Sequence, residues 1–510
     1  MNAPKLRSIL NPIWIRIKGV RYQATVSTSE NVDVTNLKPF HEIPGPSSLP
    51  LIGPLLHFIP GGSLYTPDTK DFSAKLFKLY GPIVKLDPLF ARNTLLMVYD
   101  PESAANVLRS ENRIPYRGGF NSLAYYRKHI KKHENNHKKL TGLITDQGEE
   151  WWDLRSTVNP VLLQPKTIKL YSAAIDEVAQ EMMNRMKSKL DENNRLQAKF
   201  DDEMNLWALE SIGVVAFGIR LNCFDPNLAE NSPEKKLIEC VHQIFNLSNQ
   251  LDFQPSLWHI FSTPTYKKAM KMFQLQEDLS KYFINKAMRN INKNENKPDE
   301  QKGVLEKLLD INEEYAYIMA TDMLVAGVDT VANSIAATLY LFAKNPEKQE
   351  KLREEVMSKE SKRYLKACIK ETMRMMPVVS GNLRRTTKEY NILGYHVPKG
   401  IDVAFAHQDL SSMEEHYPRP TEFIPERWLA DKNDPLYYGK AHPFVMAPFG
   451  FGVRSCIGRR IAELEIETFL TKILENFRVE WYGPPPKIIQ TSINYFTGPF
   501  NFVFNDIKKK

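Results

Sequence analysis

The sequence predicts a mainly α protein, one large helical domain carrying a small β-sheet region. Three observations lead there. Apolar residues recur at helical spacing through much of residues 166–290 and again over 313–345 and 362–376. The β-rich runs are short and confined to residues 83–99, 391–405 and 488–504. The chain of 510 residues is 42% hydrophobic and 25% charged, which suits a globular core and excludes a disordered chain. Four cysteines without close spacing give neither a zinc pattern nor a disulfide framework. The net charge of +8 suits an acidic partner or a membrane surface.

Residues 1–29 carry Lys5, Arg7, Arg16, Lys18 and Arg21, with no acid before Glu30, and hydroxyls cluster at Thr25, Ser27, Thr28 and Ser29. Arg16 cuts short the apolar run around Ile13, Trp14 and Ile15, well below the ~20 apolar residues of a membrane span. A basic, hydroxyl-rich, acid-poor leader is the composition of a mitochondrial transit peptide. The expected division is a leader over residues 1–39 and a globular domain over 40–510, joined by the stiff stretch around Pro44, Gly45, Pro46, Pro50, Gly53 and Pro54.

An amphipathic helix is expected over residues 70–80, stopped by Gly81-Pro82, then a β-hairpin from residues 83–86 and 94–99, and a helix over 101–110. Residues 113–148 lack periodicity, and 127–139 is a basic run. A helix opens at Gly148. On it Trp151 and Arg155 share a face, where an indole N–H and a guanidinium suit a carboxylate. Helices follow over 175–190, 204–217 and 267–291, with an amphipathic Lys- and Met-rich patch at 266–272 and a polar loop at 292–301.

The pattern over 313–345 is one helix roughly 50 Å long, stopped by Pro346. Its middle reads Ala326-Gly327-Val328-Asp329-Thr330. Gly327 costs ~1 kcal/mol in a helix interior, and Asp329 and Thr330 set an acid and a hydroxyl in an apolar stretch, where buried polar groups need partners. The helix over 362–376 carries Glu371 and Arg374 three apart, and Lys366 and Lys370 four apart. Between 345 and 364 the chain is short, as if a surface helix were lost. Residues 488–504 alternate around Gly498-Pro499, which predicts a closing hairpin there.

The chemistry concentrates in Phe449-Gly450-Phe451-Gly452-Val453-Arg454-Ser455-Cys456-Ile457-Gly458. Gly450 and Gly452 permit backbone angles closed to other residues, and Gly458 leaves room for something flat to approach. Cys456 precedes a helical run, whose N-terminus is expected to lower its thiol pKa. Arg454 could bind a carboxylate. Cys223, Cys240 and Cys368 read as small buried hydrophobes.

This decapeptide resembles the haem-binding loop of the cytochromes P450, and from about residue 40 to 505 the other motifs fall in that family's order. The resemblance implies the P450 fold, with haem b between the long helix and the helix after Cys456. It makes Cys456 the axial thiolate. Trp151, Arg155, Arg384 and Arg454 would hold the propionates, while Phe449, Gly458, Ala326 and Gly327 flank the haem. Gly327 would leave space for dioxygen, Thr330 would hydrogen-bond it, and Asp329 would relay protons. Glu371, Arg374 and Arg427 would form a buried scaffold, and residues 113–148 and 378–383 would face substrate.

Lys366 and Lys370, with Arg459 and Arg460, resemble the surface by which mitochondrial members bind an adrenodoxin-type ferredoxin. The implied activity is insertion of one oxygen atom of O2 into a lipophilic, steroid-like or xenobiotic substrate, at the matrix side of the mitochondrial inner membrane and with no nucleic acid. The wider look of the chain resembles arthropod mitochondrial members. A P450-like isomerase or dehydratase, or a haem-binding sensor, is the alternative.

Overall fold

The computed structural model describes residues 36–50, 52–66, 71–88, 93–131, 140–197, 199–291 and 298–507. The basic leader over 1–29 lies outside the described residues, as do residues 132–139 of the basic run and 292–297 of the polar loop.

The first part of the chain alternates helix and strand: α1 (Phe72–Tyr80), β1 (Ile83–Leu86), β2 (Leu95–Val98) and α2 (Pro101–Arg109). A long helical stretch follows, with α3 (Asn121–Tyr125), α4 (Gly148–Leu162), α5 (Pro165–Lys169), α6 (Ser172–Ser188), α7 (Phe200–Phe217), α8 (Pro233–Ser248), α9 (Pro264–Ile291), α10 (Val304–Ile311), α11 (Glu313–Lys344), α12 (Pro346–Ser358) and α13 (Arg363–Met375). Four short strands come next, β3 (Asn382–Arg385), β4 (Tyr390–Ile392), β5 (Tyr395–Val397) and β6 (Asp402–Phe405), then α14 (His407–Leu410) and α15 (Arg459–Asn476). The chain closes with β7 (Phe477–Trp481), β8 (Lys487–Gln490), β9 (Asn494–Thr497) and β10 (Phe502–Asp506).

The core is built around α11. Asn312 caps its start, the side-chain oxygen accepting from the Tyr315 N–H, and it stops before Pro346, which disfavours helix at the residue ahead of it. Its length and apolarity would suit a membrane span, but most of its side chains are covered by the rest of the domain. From Met204 to Phe217 nearly every residue of α7 is buried except Asn205, as expected of a helix surrounded on all sides. The main sheet has order β1-β2-β6-β3, with β2 and β6 parallel and the other pairs antiparallel.

One expectation is corrected here. The C-terminal hairpin does not turn at Gly498-Pro499. It turns at 491–493, between β8 and β9. Proline has no N–H for a ladder, and beyond it the chain crosses to pair β10 with β7. In the short 345–364 segment α12 ends at Ser358 and α13 begins at Arg363, so the join over 359–362 carries no helix. Lys359 takes a left-handed conformation at the end of α12. The Glu355 carboxylate then accepts from the N–H groups of Tyr364 and Leu365, both at 2.9 Å, which ties the close of α12 to the start of α13.

Candidate active site

The loop before α15 is shaped by its glycines. Gly450 and Gly452 have φ of 71° and 69°, a region L side chains avoid. The resulting turn lets the Cys456 N–H bond to the Phe449 carbonyl at 2.8 Å. An added Cβ at Gly458 would meet only the Cys456 sulfur, at 3.9 Å, so the space beside it is open. Phe449 is half-buried, with the Arg459 guanidinium 5.2 Å from its ring centre. Cys456 is exposed although it lies deep in the domain, so its sulfur faces an internal slot and not the outer surface. Burial pushes its thiol up, and the Gly458 N–H with Arg155, Arg117 and Arg459 only partly offsets this. The expected lowered thiol is thereby corrected: in the protein alone desolvation wins, and the thiolate requires a metal bound to sulfur, which deprotonates a thiol outright. Cys223, Cys240 and Cys368 are buried.

The other side of the slot is α11. Ala326 is exposed in the middle of this core helix, between buried Val325 and Val328, and half-buried Thr330 shares its face one turn on. The Thr330 hydroxyl donates to the Ala326 carbonyl at 2.7 Å, leaving its lone pairs available. Gly327 serves a different end from the one expected. A Cβ there would come 2.7 Å from Ile212 Cγ1, so the glycine lets α7 approach α11 closely and does not make room for dioxygen. Asp329 is buried and turned away from the Ala326–Thr330 face, its Oδ2 accepting from the Tyr495 hydroxyl at 2.6 Å.

Four guanidiniums converge on the edge of the slot. Arg155 donates to the Ser455 carbonyl at 2.8 Å, while its Nε is buried without a partner. Arg384 pairs with Glu111 at 2.5 Å. Arg454 lies 3.6 Å from the ring centre of buried Trp151 and donates to the Pro115 and Asp146 carbonyls and to Gln147 Oε1. Arg117 is the fourth. The region 113–148 has no periodicity to mark it, and only its place next to Arg384, Arg454 and Cys456 reveals it. Burial, then Arg117, Arg384 and Arg155, pull Arg454 down to about 8. Burial pulls Arg155 down to about 10. Guanidiniums stay protonated in proteins, so these shifts reflect first the cost of burying the charge and then repulsion from the neighbouring guanidiniums. Glu111 is the carboxylate bonded within the group, and Asp322, paired with Arg127, adds a pull on Arg117. The slot therefore calls for a flat ligand with a thiol-seeking centre and an anionic edge.

The cytochrome P450 family model matches residues 43–501. The chain belongs to the cytochrome P450 family. It is 38% identical to cytochrome P450 CYP12A2 of Musca domestica, over 96% of this chain and 94% of that protein. It is 35% identical to the probable cytochrome P450 12a5, mitochondrial, of Drosophila melanogaster, over 97% of each. Among solved structures it resembles a retinoic acid bound cyanobacterial CYP120A1, with TM-score 0.69 over 92% of this chain and 100% of that one; at 19% identity this speaks to the fold alone. The chain is thus a P450 monooxygenase whose cofactor is haem. The donor set fits that group: a sulfur facing the slot, a face of α11 with small residues opposite, and excess guanidinium charge at one edge.

Below the slot, Glu371, Arg374 and Arg427 are fully buried. Glu371 takes Arg374 Nη2 at 2.8 Å and Arg427 Nε at 3.1 Å, and also the Trp428 indole N–H at 3.0 Å, a contact the sequence did not suggest. The spare Arg374 donors reach the Ser411 and Pro420 carbonyls, which ties α13 to the chain leading to the Cys456 loop. Lys366 and Lys370 are exposed on one face of α13. Lys366 lies 3.7 Å from Glu467 of α15, and Lys370 lies over the Trp428 ring. Arg459 and Arg460 are exposed nearby on α15.

Proposed function

We propose that this chain is a mitochondrial P450 that takes electrons from an adrenodoxin-type ferredoxin and hydroxylates lipophilic substrates, steroid-like or xenobiotic, by the balance RH + O2 + 2 H+ + 2 electrons → ROH + H2O. The observation that carries the reading is the slot itself, with Cys456 on one side, Ala326 and Thr330 on the other, and Arg117, Arg155, Arg384 and Arg454 at its edge. Cys456 holds the haem iron, and Trp151 and the arginines hold its propionates. Phe449 and Gly458 close beneath it. When bound, haem supplies the activation of dioxygen. Thr330 presents its hydroxyl on the oxygen side, and Asp329 carries protons. Lys366 and Lys370, with Arg459 and Arg460, form the ferredoxin surface. The relatives named mitochondrial and the basic composition of residues 1–29 support the compartment. Exposed Ile260 and Phe261, beside exposed Lys267 and Lys268, support a peripheral seat on the inner membrane.

The test is reconstitution with haem, NADPH, adrenodoxin reductase and adrenodoxin over a panel of steroids and xenobiotics, after a screen for the shift in haem spin state. Oxygenated product is expected only with the full electron chain. Product without an electron source overturns the monooxygenase reading, and an unchanged haem spectrum in Cys456→Ala overturns the ligand assignment.

A further inference from the structure

Asp329 and Thr330 are neighbours on α11, yet the Asp329 carboxylate points into a second cavity. His242 Nδ1 on α8 lies 3.9 Å from the oxygen that accepts from Tyr495. The His242 and Tyr495 rings meet edge-on, their centres 5.3 Å apart. The Asp329 side chain is 1% exposed and that of His242 57%, so the pair runs from solvent to core. Both border a cavity of about 280 Å³ between α7, α8, α11 and the β8–β9 hairpin, with Asn205 and Asn333 in its wall. At about 30 Å³ per water, this is room for several waters with polar partners.

We propose that His242, Tyr495 and Asp329 form the proton inlet of the enzyme. This rests on the monooxygenase reading above and names the two residues that feed its acid. An imidazolium N–H at His242 breaks and its proton passes, directly or along the cavity waters, to the Asp329 carboxylate. Bulk water reprotonates the imidazole. Rotation of the Asp329 side chain then presents the proton on the Thr330 side. The electrons come from the ferredoxin, and each turnover draws two protons. Tyr495 is a positioning residue: its hydroxyl holds the carboxylate facing His242. Burial and Asp329 drive the Tyr495 phenol far up, so it donates a hydrogen bond without ionising. The charged groups facing His242 are Asp329 from α11 and Asp202 from α7, with Asp201 in the cavity wall; Lys199 and Glu203 act on Asp202.

The test uses the haem-loaded full chain and an ethoxycoumarin as lipophilic probe. His242→Gln is expected to slow ferredoxin-driven dealkylation at least about fivefold and raise the solvent deuterium isotope effect. Peroxide-driven dealkylation, which needs no net protons, is expected to be unchanged. Independently of turnover, the His242 ring signals of histidine-labelled protein, identified by their loss in His242→Gln, are expected to move at fixed pH in both Asp329→Asn and Tyr495→Phe, because both groups lie against the ring. Equal ferredoxin-driven rates and isotope effects overturn the inlet and leave the monooxygenase standing. Slowing of both reactions alike, or His242 signals unmoved in both variants, overturns it in favour of a packing role. No product from the unaltered chain under either regime overturns the monooxygenase reading and the inlet together.

Discussion

Glu465 on α15 is fully buried, accepting from the Ser211 hydroxyl at 2.7 Å, and burial raises its carboxyl from the ordinary 4.5 to about 8. Below pH 4.5 both folded and unfolded chains hold this proton, and the group costs nothing. Between 4.5 and 8 the unfolded chain ionises while the folded one retains the proton. Stability therefore falls as pH rises through that window, by about 1.4 kcal/mol per unit. Glu465→Gln keeps an acceptor for Ser211 and removes the titration. It is expected to raise the urea midpoint at pH 8, by on the order of a few kcal/mol in stability, and to flatten the slope between the two values. Equal midpoints for the two proteins at pH 8 would show that the buried carboxyl carries no penalty. The same opposition of burial and donors governs Cys456, where three cationic neighbours and an N–H still leave a thiol until a metal arrives.

Two elements meet at Gly327, where α7 lies against α11. Gly327→Ala gains about 1 kcal/mol of helix propensity, but its Cβ collides with Ile212, and overpacking costs about 1–3 kcal/mol. The net expectation is a loss of about 1 kcal/mol, read from denaturant midpoints. In an Ile212→Ala background the same change is expected to become neutral or stabilising, because the new methyl enters the cavity left behind. If the glycine change costs the same in both backgrounds, the contact is not its cause. On α13, the exposed Lys366 and Lys370 are set apart from the buried face holding Glu371 and Arg374. Lys366→Glu with Lys370→Glu is expected to raise the apparent Kd for adrenodoxin on the order of tenfold and to flatten its salt dependence. An unchanged Kd removes these lysines from the docking surface.

What was legible at this scale follows from how each feature is encoded. Helical period placed α1, α7, α9, α11 and α13, and dense local motifs marked Cys456, Trp151, Arg155 and Glu371. Arg117 was hidden because its loop has no period, and the Tyr495 contact with Asp329 spans 166 residues with no local signal. The turn between β8 and β9 was misplaced because Gly498-Pro499 is the stronger turn signal, while strand pairing is decided by which edge lies nearest.

Across the whole molecule the slot is a concentration of like charge held in place by the surrounding fold. Arg117 comes from the loop after α2, Arg155 from α4, Arg384 from β3 and Arg454 from the loop before α15. Folding brings four guanidiniums from distant parts of the chain beside one bonded carboxylate, Glu111. Like charges so gathered favour an anion beside them, and under the proposed function the haem carboxylates would supply it. Two charge-assisted contacts at roughly 1.5–3 kcal/mol each amount to about a hundredfold in affinity or more. Haem dimethyl ester keeps the iron and the ring but loses both charges, and is expected to bind at least about a hundredfold more weakly than haem in a spectral titration. Metal-free protoporphyrin keeps the charges and loses the bond to Cys456. Arg155→Leu is expected to weaken haem and metal-free protoporphyrin alike while barely moving the ester, because it removes one of the guanidinium charges beside Cys456. If the ester and haem bind equally, the guanidinium edge serves the fold and not the cofactor.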